Sequence, residues 1–193
     1  MRKIACISMI CCLFVLPVMA YGDLVATLYH VAKDSTSAYY GTGALIAAYH
    51  QSEQGDVITL SGGAYKAPSQ ISHGIYIRGA GMEKDTIGEV LPTILMGDIH
   101  VISSNVTFEG LIHRDFIYFG KVVSHTSITN VSNIEFVKCR LHVLESRSTF
   151  YYDRYYYSSV SNSTITQSII DNTIGVAGCI HFYNRIISDL NAT

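Results

Sequence analysis

Ser104-Asn105-Val106-Thr107-Phe108-Glu109, Ser132-Asn133-Ile134-Glu135-Phe136-Val137 and Ser161-Asn162-Ser163-Thr164-Ile165-Thr166 are one phrase written three times, with starts 28 and then 29 residues apart. A Ser-Asn pair opens each copy, and both residues favour turns because their short polar side chains bond the local backbone. Alternation follows. Val106, Ile134 and Ser163 fall on the same side as Phe108, Phe136 and Ile165, while the residues between them face the other way, which is strand periodicity. Ile75-Tyr76-Ile77-Arg78-Gly79 and Ile180-His181-Phe182-Tyr183-Asn184 fit the same frame without the Ser-Asn pair. The inward column then reads Ile77, Phe108, Phe136, Ile165, Phe182.

Secondary strands fall between these, at Thr93-Ile94-Leu95-Met96, Phe116-Ile117-Tyr118-Phe119 and Ile169-Ile170. A unit of this size with one apolar face cannot bury itself alone and must stack on its neighbours. The expected product is an all-β coil of parallel strands, with like residues of successive turns about 4.8 Å apart. Cys139, Ser168 and Arg185 occupy equivalent positions after the core strand, and Lys138, Gln167 and Asn184 precede them. An antiparallel sandwich is the alternative that short strands and turns also suit.

The 193-residue chain has room for one core. Hydrophobic residues at 49% and charged residues at 15%, with a mean hydropathy of +0.26, exclude intrinsic disorder. Met1-Arg2-Lys3, the apolar run Ile4 to Leu16, and Val18-Met19-Ala20 read as residues 1–20 of an export signal, leaving 21–193 as the β-helix domain. About 17 apolar residues are short for a membrane span, so no stable span is expected after cleavage, and the protein is expected to be secreted, periplasmic or at the cell surface. Loss of Arg2 and Lys3 leaves 11 basic against 15 acidic residues. A nucleic-acid partner is excluded on that balance. Cys139 and Cys179 are the two cysteines beyond the signal; their registers differ, which favours buried thiols over a bridge.

One helix is expected, capped by Thr42 and running through residues 43–54 until Gly55 ends it, with Leu45, Ala48 and Tyr49 on one face. Gly55-Asp56-Val57-Ile58-Thr59-Leu60 and Gly63-Ala64-Tyr65 then read as a turn, a strand and another turn. This order, followed by Ile75-Tyr76-Ile77-Arg78-Gly79-Ala80-Gly81, resembles the opening segment of right-handed parallel β-helix proteins of the pectin lyase-like superfamily. The resemblance covers most of 42–113 and, more loosely, 128–189. It implies a right-handed single-stranded parallel β-helix whose residues 42–54 form an N-terminal capping helix, covering strand edges that would otherwise be open. That superfamily mixes lyases, hydrolases, esterases and non-catalytic surface proteins, so it implies fold more than activity. The calcium-holding Asp clusters of pectate lyases have no counterpart here. Enzymes of the superfamily carry more coils and a C-terminal cover. Here the C-terminal coil end is expected to be closed by the short tail, by self-association with a partner subunit, or by residues of a longer relative of which this chain is a piece.

A lyase acting on an acidic sugar needs cations and a base, and a glycosidase needs two spaced carboxylates. The outward columns read Tyr76, Thr107, Glu135, Thr164, His181 and Arg78, Glu109, Val137, Thr166, Tyr183. No catalytic carboxylate pair stands out, and an Arg78–Glu109 surface pair is worth under about 1 kcal/mol. The histidines show no metal-ligand spacing, so neither metal nor cofactor is expected. Phe150-Tyr151-Tyr152-Asp153-Arg154-Tyr155-Tyr156-Tyr157 is either a loop thrown out from the coil to stack on sugar rings or an ordinary coil strand with alternate tyrosines inward; the latter is preferred. Catalytic residues are therefore unassigned. The candidate binding residues are Arg78, Glu109, Glu135, Tyr151, Tyr152, Tyr155, Tyr156, Tyr157, His181 and Tyr183. The expected function is an exported, non-catalytic polysaccharide- or surface-binding or structural module, with a polysaccharide lyase or glycoside hydrolase as the alternative.

Overall fold

The three Ser-Asn phrases become three adjacent parallel strands because their asparagines take the turn. Asn105, Asn133 and Asn162 sit at φ 61°, 55° and 48°, a left-handed conformation that Asn tolerates better than most residues. The computed structural model describes residues 24–84, 90–124, 126–151, 154–174, 180–183 and 186–187, with the backbone alone at 123, 148–151, 154–157, 180–183 and 186–187. The expected signal, Tyr152, Cys179, Asn184, Arg185 and the tail 191–193 lie outside the described residues.

The first sheet runs, in spatial order, Ser35–Tyr40, Val25–His30, Val57–Leu60, Tyr76–Arg78, Val106–Glu109, Ile134–Val137, Ser163–Thr166 and Ile180–Tyr183. From Val57–Leu60 onward every pairing is parallel, which excludes the antiparallel sandwich. The register pairs Ile58 with Ile77, Ile77 with Phe108, Phe108 with Phe136, Phe136 with Ile165 and Ile165 with Phe182, so the inward column is the one read from the repeat. Ile58, Ile77, Phe108, Phe136 and Ile165 are each at most 1% exposed. The rings of Phe108 and Phe136 stack at 5.2 Å and 4°, and Phe119 meets Phe136 edge-on at 6.2 Å.

The second sheet faces the first across this core, in the order Ile186–Ile187, Ile169–Ile174, Arg140–Ser146, Ile112–Phe119, Thr93–Met96 and Gly63–Lys66. Gly63-Ala64-Tyr65, expected as a turn, is a strand: its pairing with Thr93–Met96 is parallel, and neighbouring-coil pairing outweighs the turn preference of glycine. Ile112–Phe119 pairs Thr93–Met96 with its first part and Ile99–Val101 with its last. The corner between those two shorter strands is tied down from the longer one. Asp115 Oδ2 accepts the Gly97 N–H at 2.6 Å, Asp98 Oδ1 accepts the Phe116 N–H at 3.2 Å, and His113 Nε2 donates to the Gly97 carbonyl at 3.0 Å.

Corners carry their own ladders. Asn133 Nδ2 donates to Asn105 Oδ1 at 2.9 Å, and the Asn105 and Asn133 N–H groups donate to the Ser132 and Ser161 carbonyls, each at 3.0 Å. At the next corner Gly110, Lys138 and Gln167 share a left-handed backbone at φ 63°, 51° and 51°. Behind it, Ser168 Oγ accepts the Cys139 N–H at 3.0 Å. Cys139 is fully buried and its thiol is pushed up to about 12 by burial, so it acts as a small hydrophobe.

The helix is Ala44–Gln51, shorter than expected, with Gly43 rather than Thr42 at its N-cap and no side-chain capping bond there. It stops at Ser52, whose N–H and Oγ both donate to the Tyr49 carbonyl. Ala44, Leu45, Ala48 and Tyr49 are buried against the strands Val25–His30, Ser35–Tyr40, Val57–Leu60 and Gly63–Lys66, so the helix closes the N-terminal end of the coil. The hairpin Val25–His30/Ser35–Tyr40 was not expected. It extends the first sheet antiparallel, turns through Asp34 at φ 46°, and is held to the helix end by Asp56, which accepts the Val31 and Glu53 N–H groups and meets His30 Nδ1 at 2.8 Å. No helix among the described residues is long and apolar enough to cross a membrane.

Two stability measurements follow from this packing. Phe136→Ala removes a ring stacked between coils and is expected to cost about 3–5 kcal/mol in urea unfolding, whereas Glu135→Gln on the opposite face of the strand should stay within about 0.5 kcal/mol; equal losses would mean the column is not the core. His113 is 1% exposed and its Nδ1 is buried without a partner. Burial holds its pKa below the ordinary value, against the opposing pull of the Gly97 carbonyl and the Asp115 and Asp98 charges. The unfolded chain therefore takes the proton first, so stability is full above about pH 6.5 and falls as pH drops through the folded pKa, by up to about 1.4 kcal/mol per pH unit. His113→Gln should show a smaller stability difference between pH 7.5 and pH 5, and an unchanged difference would move the effect to His73 or His100, which shift in the same direction.

Candidate functional site

The first sheet presents the outward columns as expected. Tyr76, Thr107, Glu135, Thr164 and His181 are in register, as are Arg78, Glu109, Val137, Thr166 and Tyr183. Arg78 and Glu109 come together, with Nε and Oε2 4.0 Å apart, and the Tyr76 hydroxyl donates to the same carboxylate oxygen. Beyond them a cavity of about 340 Å³ opens at the corner, lined among others by Arg78, Glu83, Glu109 and Lys138. Glu135 stands apart from that cavity and, among the described residues, meets Thr107 Oγ1 at 3.5 Å. His181 and Tyr183 are placed by register alone.

The tyrosine run is not a strand of the coil. Ser148–Tyr151 and Arg154–Tyr157 pair antiparallel with each other, Phe150 opposite Tyr155 and Thr149 opposite Tyr156, and neither strand joins the two large sheets. This corrects the preferred reading of alternate tyrosines within a coil strand. The previous coil leaves at the same corner as a second hairpin, Lys121–Ser124 with Ser127–Thr129, and Lys121–Ser124 lies beside Ser148–Tyr151. Their roots are clasped: Ser158 Oγ donates to the Phe119 carbonyl at 2.6 Å, the Ser158 N–H donates to the Arg147 carbonyl at 2.8 Å, and the Arg147 N–H to Phe119 at 3.1 Å. Gly120 at φ 72° is required there, because a Cβ would come within 2.3 Å of the Thr129 carbonyl oxygen.

Next to those roots, the outer face of the second sheet carries an aromatic strip that sequence reasoning missed. Gln70, His100, Tyr118, Glu145 and Ile174 share an outward column. The His100 and Tyr118 rings stack at 4.8 Å, and Phe116 lies parallel to Tyr118 at 5.6 Å and 7°. The Arg147 guanidinium carbon sits 3.9 Å above the Tyr118 ring centre, and its Nη2 is 3.2 and 3.3 Å from the two His100 ring nitrogens. Burial lowers the His100 pKa and Arg147 adds to this, against Asp98, which favours the neutral ring, whose one unprotonated nitrogen can accept from the guanidinium. Alternation within Phe116-Ile117-Tyr118-Phe119 signalled two outward aromatics. Their partners could be found only from the pairing of 117–119 with 99–101.

A serine and a histidine also meet, at the C-terminal end of the helix. Ser52 Oγ is 2.8 Å from His73 Nε2, and Tyr49 Oη is 3.2 Å from His73 Nδ1. Proton directions decide its character. The Ser52 hydroxyl donates to the Tyr49 carbonyl at 2.7 Å, so it must accept from His73 Nε2–H. The Tyr49 oxygen accepts the Ser72 N–H at 2.7 Å and donates to Nδ1. A histidine that donates to the serine cannot take its proton. The group is a clasp between the helix and the coil.

Among the described residues no group of three or more His, Cys, Asp or Glu side chains is placed to hold a metal ion. Compared with known proteins, the chain matches no protein-family model, no curated protein and no solved structure.

Proposed function

We propose that this is an exported β-helix protein that binds polysaccharide without cleaving it, and that its likeness to the pectin lyase-like superfamily reflects a shared coil architecture. The observation that carries the reading is the pair Phe116 and Tyr118, near-parallel rings 5.6 Å apart on an outer sheet face. Aromatic groups of this kind pack against the C–H faces of sugar rings; with Arg147 over its ring and His100 stacked against it, Tyr118 offers its outer edge and hydroxyl, beside Phe116. His142, edge-on to Phe116 at 6.4 Å and 3.3 Å from Asp171, borders the strip with polar groups, and the antiparallel hairpin carrying Tyr151, Tyr155, Tyr156 and Tyr157 arises at its other end. The apolar leader over 1–20 supports export.

The second reading is a polysaccharide lyase or glycoside hydrolase working from the corner cavity of Arg78, Glu109 and Lys138, where opposite charges line one space. A panel of neutral and acidic polysaccharides, incubated with the full chain and read for both retention and unsaturated or reducing-end products, separates the two. Retention without products is expected. Phe116→Ala and Tyr118→Ala should each weaken retention about three- to tenfold, the worth of one stacking contact, and products lost on Arg78→Gln would favour the enzyme.

A further inference from the structure

At the root of the two hairpins lies a cavity of about 300 Å³ lined by Gln70, His100, Gly120, Lys121 and Arg147 together with the aliphatic Ile102 and Val122. Its charge is one-sided. Among the described residues two cations line it and no carboxylate does, and neither Arg147 nor Lys121 takes part in an ion pair. Arg78 and Lys33, by contrast, have Glu109 and Glu53, and what sets Arg147 and Lys121 apart from other cations without an ion pair among the described residues, such as Arg114 and Arg140, is that they line one cavity together. The nearby carboxylates lie outside the lining: Asp98 accepts the Phe116 N–H and acts on His100 from there, Asp115 accepts the Gly97 N–H, and Glu145 stands on the strand column beside Tyr118.

Arg147 is also held in place. Its backbone is part of the hairpin root, its guanidinium carbon sits 3.9 Å over the Tyr118 ring, and one terminal nitrogen is spent on His100. A guanidinium pinned on one edge keeps its remaining N–H donors in a fixed plane, and that fork matches the paired oxygens of a carboxylate, sulfate or phosphate. Lys121 adds a mobile point charge, and the Gln70 amide can donate to the same guest.

We propose that this cavity is an oxyanion-binding site, with Arg147 as the oriented donor, Lys121 as the second cation and Gln70 as a neutral donor. The guest is an oxyanion, free or carried as a substituent on a sugar. The inference concerns the cavity alone and stands whether or not the protein retains polysaccharide.

The test is calorimetric titration of the full chain with inorganic sulfate, inorganic phosphate, glucuronate, glucose 6-sulfate and glucose, with amide chemical shifts followed at Gln70, Gly120, Lys121 and Val122. Saturable binding of at least one anion with shifts at those amides, and none for glucose, is expected. Tighter binding of glucuronate or glucose 6-sulfate than of the inorganic ions identifies a sugar substituent as the source; the reverse order identifies a free ion. Arg147→Gln and Lys121→Gln should each weaken binding about tenfold or more, whereas Lys33→Gln, a charge change on the N-terminal hairpin, should leave it as it was. Should Arg147→Gln fail to fold on thermal melting, the exposed Lys121 decides the matter. Anions that do not bind, or that bind Lys121→Gln as well as the parent, overturn the proposal. Neutral polysaccharide retained by a chain that binds no anion overturns this site and spares the polysaccharide reading; anions bound by a chain that retains no polysaccharide do the opposite.

Discussion

Everything in this structure depends on coils stacking in register, one residue above its like. A parallel pair cannot be closed by a short turn, so each return to the first sheet takes a full circuit, and the circuit brings back the same residue class to the same place. Ile58, Ile77, Phe108, Phe136 and Ile165 are in contact because of that return. A slip by one residue would put Glu135 inside and Phe136 in water, at a cost that burial of a charge makes prohibitive. The corner ladders of Ser and Asn reinforce the same register from the outside.

That dependence explains what could be read in advance. The first-sheet strands were legible because they carry two signals at once, the Ser-Asn corner and the apolar alternation, and the inward and outward columns followed directly. The strand at Gly63–Lys66 was not legible, since glycine argues locally for a turn and only its parallel neighbour Thr93–Met96 makes it a strand. The N-terminal hairpin carries alternation in Ala26 and Leu28, both fully buried, but lies outside the repeat and so outside the frame. Thr42 looked like a cap by residue type; Gly43 takes that position, and the Thr42 carbonyl instead accepts the Lys66 N–H.

Site residues divide along the same line. Arg78 and Glu109 are neighbours in one column of adjacent coils, so the repeat alone brings them together. His100, Tyr118 and Arg147 are drawn from three different coils, and Arg147 reaches Tyr118 from the root of a hairpin. Only the corner at Gly120 and Ser158 creates that approach, and nothing in the local sequence of any of the three announces it. The Ser52–His73 pair shows the complementary hazard: residue types and distance suit a catalytic dyad, and hydrogen-bond direction removes it.

The clasp joining Phe119, Arg147 and Ser158 ties the two ends of the tyrosine-bearing hairpin to each other and to the coil before it, so the pitch of the stack is held at the root and not by the hairpin beyond it. A chain built this way can lengthen, shorten or exchange the residues past that point between one generation and the next while the stack beneath keeps its pitch. Variation in recognition is thereby separated from the inheritance of the scaffold, and it is at this corner that lineages of the protein should diverge first.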